Sequence, residues 1–231
     1  MRIAINGFGR IGRMTLRALQ HQSGVEIVAI NDLTDINTLA HLFKYDTAHG
    51  RFSEEISTDG DSLIVNGQRI TMFQEKDPAK LPWASMQVDA VIESTGRFTD
   101  KSTAFAHINA GAKKVLITAP ATGGVKTIVH GINNELIGDD QIYSTASCTT
   151  GSIAPILYIL DKEYGVESGT WLLFTPLQQI KICRTHRIKT CVAPVLRHIR
   201  SYRQQPAPQK PSVMYYLIFW ERWMDIHTAY P

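Results

Sequence analysis

Three glycines near the N-terminus have the spacing of a phosphate-binding loop. Gly7, Gly9 and Gly12 follow a short apolar segment, residues 2–6, and precede a segment without helix breakers, residues 13–20. In a strand–loop–helix of this kind, glycines let backbone N–H groups approach a pyrophosphate, and the start of the helix favours the anion. The pattern predicts a dinucleotide site.

A carboxylate follows the second predicted strand. Residues 25–30 are mostly apolar and are followed by Asp32, which lies 20 residues after Gly12. A carboxylate at this place accepts hydrogen bonds from a ribose diol and repels a 2′-phosphate. We therefore predict NAD, not NADP, as the cofactor. A glycine pattern alone is also compatible with a tight turn that binds nothing, but strand, loop, helix, strand and acid occur here in order.

The third candidate is a cysteine between hydroxyl side chains. Ser147 and Thr149 flank Cys148, and apolar residues recur at helical spacing over residues 153–164. Cys148 is therefore expected at the start of a helix, where the helix dipole favours the nucleophilic thiolate. The alternative is a buried cysteine that packs as a small apolar residue.

The elements that position these residues alternate along the chain. Alternating strand and helix patterns predict an α/β fold with a Rossmann-like, doubly wound, mostly parallel sheet and helices on both faces. Asn66-Gly67 between two β-rich runs predicts a hairpin inserted within residues 45–82. The later strands are predicted at residues 88–93, 114–118, 127–130 and 141–144, and a helix at residues 102–110.

Composition excludes several classes of protein. The chain has 231 residues, of which 44% are hydrophobic, so its bulk is not a disordered polypeptide. Three cysteines argue against a disulfide framework. No apolar run is long enough to cross a membrane, and no secretory leader is recognisable. We expect a cytoplasmic protein without a membrane partner.

The last 61 residues have a different composition from the rest. Residues 171–231 contain nine Lys and Arg but only two Asp and Glu, and they hold none of the 16 glycines. Ordinary glycine usage of roughly 7% would place about four there. The change of composition near residue 170 therefore needs an explanation.

Four motifs resemble the phosphorylating glyceraldehyde-3-phosphate dehydrogenase family. They occupy residues 5–13, 44–50, 116–120 and 146–150, and the resemblance extends from residue 1 to about Thr170. It implies an NAD-binding domain at 1–148 and the start of a catalytic domain at 149–170. The chain departs from the family at Thr145, where asparagine is usual, and at Gly151-Ser152, where asparagine-cysteine is usual.

The resemblance implies an NAD-dependent aldehyde oxidation in glycolysis. A cysteine thiolate attacks the aldehyde of glyceraldehyde 3-phosphate, hydride passes to NAD, and inorganic phosphate releases an acyl phosphate. By this resemblance Cys148 is the nucleophile, and Ser147, Cys148 and Thr149 contact the substrate. The residues implied to bind NAD are Gly7, Gly9, Arg10, Ile11, Gly12, Asp32, Lys76 and Thr118. The alternative substrate is erythrose 4-phosphate, since its dehydrogenase shares most of these motifs.

We interpret residues 171–231 as an out-of-frame tail. Each amino acid restricts the bases of its codon, and the bases that can encode residues 170–176 permit the sequence M-V-T-V-H-A when read in the +1 frame. The bases that can encode residues 202–211 permit P-T-T-T-G-A-A-K-A in the same frame. Both segments are typical of the family. The catalytic α+β domain is therefore expected to be absent or scrambled, without its histidine base. We expect a pseudogene product with little or no dehydrogenase activity, and the homotetramer that the resemblance implies stays open here.

Other patterns in the tail are interpreted as coincidences of the shifted frame. Cys183 and His186 have a spacing seen in zinc sites, and six Lys and Arg side chains resemble a nucleic-acid patch. We predict no metal site and no nucleic-acid partner. Two functional hypotheses remain: a dehydrogenase by descent, and a non-catalytic NAD-binding remnant. A third hypothesis, that the chain binds nucleic acid through its basic tail, is the least favoured.

Overall fold

Strands and helices alternate over most of residues 1–166, the part of the chain that the computed structural model describes. The strands are β1 (Arg2–Asn6), β2 (Glu26–Asn31), β3 (Tyr45–Asp46), β4 (Gly50–Arg51), β5 (Ile56–Asp59), β6 (Ser62–Val65), β7 (Gln68–Phe73), β8 (Ala90–Glu93), β9 (Lys114–Ile117), β10 (Lys126–Thr127) and β11 (Ile142–Ser144). The helices are α1 (Arg10–Leu19), α2 (Ile36–Lys44), α3 (Lys101–Asn109) and α4 (Cys148–Tyr164).

Nine of these strands form one sheet, in the order β10-β11-β9-β8-β1-β2-β7-β6-β5. All neighbours from β10 to β7 are parallel, and only β5, β6 and β7 pair antiparallel. The chain leaves β1 toward β2 on one side and later returns to build β8 on the other. The strand order therefore reverses between β1 and β8, which is where α/β sheets bind dinucleotides, at the carboxyl ends of the strands.

Apolar side chains bury both faces of the central strands. In β1, Ile3 and Ile5 pack on one face with Leu16 of α1 and Phe43 of α2. Ala4, between them, packs on the other face with a cluster that contains Trp83 and Val91. Alternate residues of a strand point to opposite faces, so a nearly continuous apolar strand requires cover on both sides. The predicted doubly wound, mostly parallel α/β fold is confirmed.

The hairpin predicted at Asn66-Gly67 is present, between β6 and β7. Asn66 and Gly67 have φ of 49° and 77°, the positive values that a two-residue hairpin turn requires. The second strand of this hairpin, β7, also pairs in parallel with β2. The hairpin therefore belongs to the main sheet and lies toward its β5 edge.

Several element boundaries also differ from the predicted ones. Helix α1 begins at Arg10, three residues before the predicted start at Arg13, because the glycine loop itself enters the helix. Strand β10 ends at Thr127, so the strand predicted over 127–130 was wrong beyond that residue. The reason is a turn in which the side chain of Asn133 accepts a hydrogen bond from the Val129 N–H. The tail at 171–231 and the scrambled catalytic domain lie outside the described residues.

Candidate functional site

The loop between β1 and α1 is tight because two of its glycines leave no room for a side chain. Gly7 has φ of +92°, and a Cβ there would lie 2.7 Å from the backbone nitrogen of Thr95. A Cβ on Gly12 would lie 2.2 Å from the carbonyl oxygen of Gly7. These two glycines therefore let the loop pack against itself and against the turn that follows β8.

Gly9 has a different role from the other two glycines. It is exposed, and a Cβ there would meet no protein atom within 4 Å. Gly9 is the N-cap residue of α1 and offers no side-chain hydrogen bond to the first turn, which contains no acidic residue. Asp35 and Asp100, by contrast, cap α2 and α3 with their carboxylates. The start of α1 thus combines open space with uncapped helix geometry, which suits a phosphate.

The Asp32 carboxylate is held beside this loop. Its Oδ2 accepts a hydrogen bond from the Phe8 N–H at 2.7 Å, and its Oδ1 accepts one from the Thr34 N–H at 2.9 Å. The side chain is half-buried, and each carboxylate oxygen can accept more than one hydrogen bond. Lone pairs therefore remain for a diol, in the orientation that the two backbone donors fix.

Thr118 and Lys76 lie on opposite sides of the glycine loop. Thr118 follows β9, and its N–H and hydroxyl donate to the Glu93 carbonyl at 2.9 and 3.1 Å. Ser94, next to Glu93, donates its hydroxyl to the Gly7 carbonyl at 2.6 Å, so the end of β8 links Thr118 to the loop. Lys76 is exposed and follows β7, on the β2 side of the sheet. Arg10 and Ile11 are exposed at the start of α1.

Cys148 is the first residue of α4 and is exposed, so the predicted helix start is confirmed and the buried alternative is wrong. The Ser147 side chain caps the helix, because its Oγ accepts a hydrogen bond from the Thr150 N–H at 3.1 Å. Ala146, which is buried, has φ of 60°. The left-handed conformation costs a non-glycine residue roughly 1–2 kcal/mol, and such strain is common at functional sites.

The cysteine and Thr118 lie at the same edge of the sheet. Ser144 of β11 pairs with Ile117 of β9, and the Thr145 N–H donates to the Ile117 carbonyl at 2.9 Å. Cys148 therefore starts its helix beside the strand end from which Thr118 projects. Among residues 1–166, no histidine is hydrogen-bonded to the Cys148 thiol, and no cluster of residues suited to a metal ion occurs.

The segment from residue 44 to 51 is held by its own carboxylate. Asp46 accepts hydrogen bonds from the backbone N–H groups of His49 and Ala48, and from the His49 ring. These bonds, that of the His49 backbone first, lower the pKa of Asp46 to about 2. Arg17 of α1 donates to the Phe43 and Gly50 carbonyls, which fixes the segment against the helix that follows the glycine loop.

Sequence reasoning missed a buried polar cluster behind the loop. Glu93 and His107 are 1% and 0% exposed, and the His107 Nε2 lies 3.0 Å from Glu93 Oε2. Asn6 at the end of β1 and Trp83 complete the cluster. A charged residue at the end of an apolar strand, Val91-Ile92-Glu93, is the pattern that could have indicated it, because buried charges are almost always partnered.

Comparisons with known proteins agree with this geometry. Residues 1–101 match the family model described as glyceraldehyde 3-phosphate dehydrogenase, NAD binding domain. The chain is similar to the glyceraldehyde-3-phosphate dehydrogenase of Mycoplasma pneumoniae, at 49% identity over 172 residues, and to that of Clostridium acetobutylicum, at 53% over 169 residues. Glyceraldehyde-3-phosphate dehydrogenase 1 of Bacillus cereus is 50% identical over 170 residues.

These matches cover unequal shares of the chains compared. They include 74% of this chain and 51% of the Mycoplasma pneumoniae protein, and 73% and 51% for the other two pairs. The chain therefore spans about half the length of the curated relatives it matches. Within residues 1–166, no helix is long and apolar enough to cross a membrane.

Proposed function

Through the residues that these relatives match, the chain belongs to the glyceraldehyde-3-phosphate dehydrogenase family, and we propose that it binds NAD at the loop between β1 and α1. The observation that carries this proposal is the contrast at the loop itself. Gly9 leaves open space at an uncapped helix start, while the Phe8 N–H holds the Asp32 carboxylate beside it. One part suits a pyrophosphate and the other a ribose diol.

We assign the cofactor contacts as follows. The backbone N–H groups of Gly9, Arg10, Ile11 and Gly12 face the pyrophosphate, and Gly7 keeps the loop close to the sheet. Asp32 accepts from the adenosine ribose, and its charge disfavours the 2′-phosphate of NADP. Lys76 contacts the cofactor on the β2 side of the sheet and Thr118 on the β9 side.

Cys148 is the proposed nucleophile for an aldehyde substrate, glyceraldehyde 3-phosphate. The Cys148 thiolate attacks the carbonyl carbon, and a thioester remains on the sulfur after the loss of hydride. NAD, when bound, supplies the hydride acceptor. Inorganic phosphate then attacks the thioester carbon and releases the acyl phosphate with the return of the thiolate. Ser147 and Thr149 contact the substrate beside the sulfur.

We propose in addition that the chain as it stands turns over slowly. Within residues 1–166 no base is hydrogen-bonded to Cys148, and residues 171–231, interpreted as out of frame, lie outside the described residues. General-base assistance contributes typically 10²–10⁴-fold to a rate. The chain is then an NAD-binding member of a dehydrogenase family with little dehydrogenase activity, and a cytoplasmic location is proposed with it.

Two measurements on the full chain test these parts separately. Calorimetric titration with NAD should give saturable binding, and titration with NADP under the same conditions should give much weaker binding. An absorbance assay of NADH formation from glyceraldehyde 3-phosphate, NAD and phosphate should give little product. The absence of NAD binding by a folded chain contradicts the cofactor assignment, whereas turnover at an ordinary rate contradicts only the proposed inactivity.

A further inference from the structure

A buried carboxylate lies under the point where the strand order reverses. Glu93 is the last residue of β8, lies beside Asn6 of β1 in the parallel register, and is 1% exposed. Within residues 1–166, no lysine or arginine forms an ion pair with it, and its one titratable partner is His107. Its other partners within the described residues are uncharged hydrogen-bond donors.

The ring of His107 is oriented by Trp83. The indole N–H of Trp83 can only donate, and it lies 3.0 Å from the His107 Nδ1. Nδ1 therefore accepts and bears no proton, so the proton of the neutral ring is on Nε2. This Nε2–H donates to Glu93 Oε2 at 3.0 Å. The two ring nitrogens have fixed and opposite roles, and the ring is uncharged.

The other partners of Glu93 are donors as well. The Asn31 amide donates to Asn6 Oδ1 at 2.7 Å, which turns the Asn6 Nδ2 toward Glu93 Oε2, 2.5 Å away. The Thr95 N–H donates to Glu93 Oε1 at 2.8 Å, and the Thr95 hydroxyl donates to the same oxygen. Four donors converge on the two oxygens, so Glu93 is held as a carboxylate with one uncompensated negative charge.

The residue that bears this charge lies between two parts of the proposed cofactor site. The Glu93 carbonyl accepts both hydrogen bonds from Thr118, on the β9 side. Ser94 and Thr95, which follow it, contact the glycine loop, Ser94 through the Gly7 carbonyl. Residue 93 thus lies between the loop and Thr118, and its carboxylate is shielded from water by the protein around it.

We propose that Glu93 makes this site select the oxidised cofactor over the reduced one, an inference that rests on the proposed NAD site. The nicotinamide ring is positively charged in NAD and neutral in NADH, so a buried negative charge stabilises only the first. Pyrophosphate and riboses are identical in the two forms, so their interactions with Glu93 cancel in the ratio of affinities. One buried unit charge acting through protein changes such a ratio roughly three- to tenfold.

The test is the ratio of dissociation constants for NADH and NAD in the full chain, measured by calorimetry. Glu93→Gln removes the charge and keeps the shape: its amide oxygen accepts from Asn6 and His107, and the Thr95 hydroxyl can turn to accept from its amide nitrogen, while the Thr95 N–H loses its acceptor. His107→Gln is the matched control, because a glutamine amide also offers one donor and one acceptor while Glu93 keeps its charge. Thermal unfolding and circular dichroism establish that each variant is folded.

The expected result is a roughly three- to tenfold loss of NAD preference in Glu93→Gln and an unchanged ratio in His107→Gln. Equal ratios in the unaltered chain and folded Glu93→Gln overturn the inference and leave the NAD site intact. If Glu93→Gln does not fold, the unaltered chain decides: NAD must bind more tightly than NADH, and a preference for NADH overturns the inference. Failure of both nucleotides to bind overturns this inference together with the proposed function.

Discussion

Helices α1 and α4 both start where a parallel strand ends, at the same edge of the sheet, yet their first turns differ. At α1 the N-cap residue is Gly9, without a side chain and without a capping hydrogen bond. At α4 the Ser147 hydroxyl caps the Thr150 N–H, and the preceding Ala146 has φ of 60°. One helix start is left for an outside anion, whereas the other is completed internally and presents a thiol.

The difference indicates how similar backbone units acquire different chemistry. The helix dipole is available at both starts, and the residue at the N-cap decides what uses it. At α2 and α3 an aspartate occupies this place, which satisfies the helix and leaves no site. We therefore expect substitutions at the start of α1 to affect binding, and those at the start of α4 to affect reactivity.

The largest effect is expected for alanine at Gly12, compared with alanine at Gly9. The Cβ at position 12 would lie 2.2 Å from the Gly7 carbonyl oxygen, so Gly12→Ala should destabilise the chain by about 2 kcal/mol or more and abolish NAD binding. Gly9→Ala has no protein neighbour within 4 Å, so it should change stability by less than about 1 kcal/mol and weaken NAD binding.

Thermal unfolding and calorimetry on both variants check this pair. A Gly9→Ala chain that binds NAD as tightly as the unaltered chain would mean that the space beside Gly9 is not used by the cofactor. Normal stability of Gly12→Ala would contradict the close approach of the loop to α1.

The residues at the starts of α1 and α4 could be predicted from the sequence, whereas the buried polar cluster behind the glycine loop could not. The glycine spacing, the acid after β2 and the cysteine at a strand–helix junction are local patterns, and the structure places them as predicted. The Glu93–His107 pair joins residues 14 apart on different elements, and Asn6 lies 87 residues from Glu93, so no local pattern indicates their contact. Strand β10 ended early because of an Asn133 side chain, which a strand pattern does not register.

A second prediction concerns the carboxylate that accompanies the open helix start. Asp32→Asn keeps an acceptor for the Phe8 N–H but loses the charge and the acceptor of the Thr34 N–H. NAD affinity should therefore fall roughly tenfold, as expected for the loss of a hydrogen bond to a charged group. Discrimination against NADP should fall as well, because the repulsion of the 2′-phosphate is removed. Parallel titrations with both nucleotides measure this, and undiminished discrimination against NADP would show that Asp32 does not contact the ribose.

A third prediction concerns the reactive start of α4. Iodoacetamide should alkylate Cys148 in the folded chain roughly threefold faster than in a peptide of residues 144–152, because the helix dipole stabilises the thiolate. Ser147→Ala removes the cap and should reduce this advantage. Peptide mapping by mass spectrometry gives the rate at Cys148 alone. Equal rates in folded chain and peptide would contradict activation by the helix.

The smallest effect is expected at Asp46. Its carboxylate is hydrogen-bonded within its own segment, just as the start of α4 is capped by the neighbouring Ser147. His49→Ala should raise the pKa of Asp46 from about 2 toward, but not to, its usual range, because the backbone N–H at position 49 still donates. Since the folded pKa lies below the unfolded one, the stabilisation by Asp46 is present above the unfolded pKa and is lost as the pH falls toward about 2. Carboxyl NMR titration measures this, and an ordinary pKa in the unaltered chain would contradict it.

The most direct test of a phosphate site at the start of α1 is an amide NMR titration of the full chain with ADP-ribose, which has the pyrophosphate and riboses of NAD but lacks nicotinamide. We expect the backbone N–H resonances of Gly9, Ile11 and Gly12 to shift and saturate together, while that of Thr150, already bonded to Ser147, shifts little. Shifts absent from the start of α1, or equal at the two helix starts, would contradict the claim that, of these two starts, that of α1 is the one open to the cofactor's phosphates.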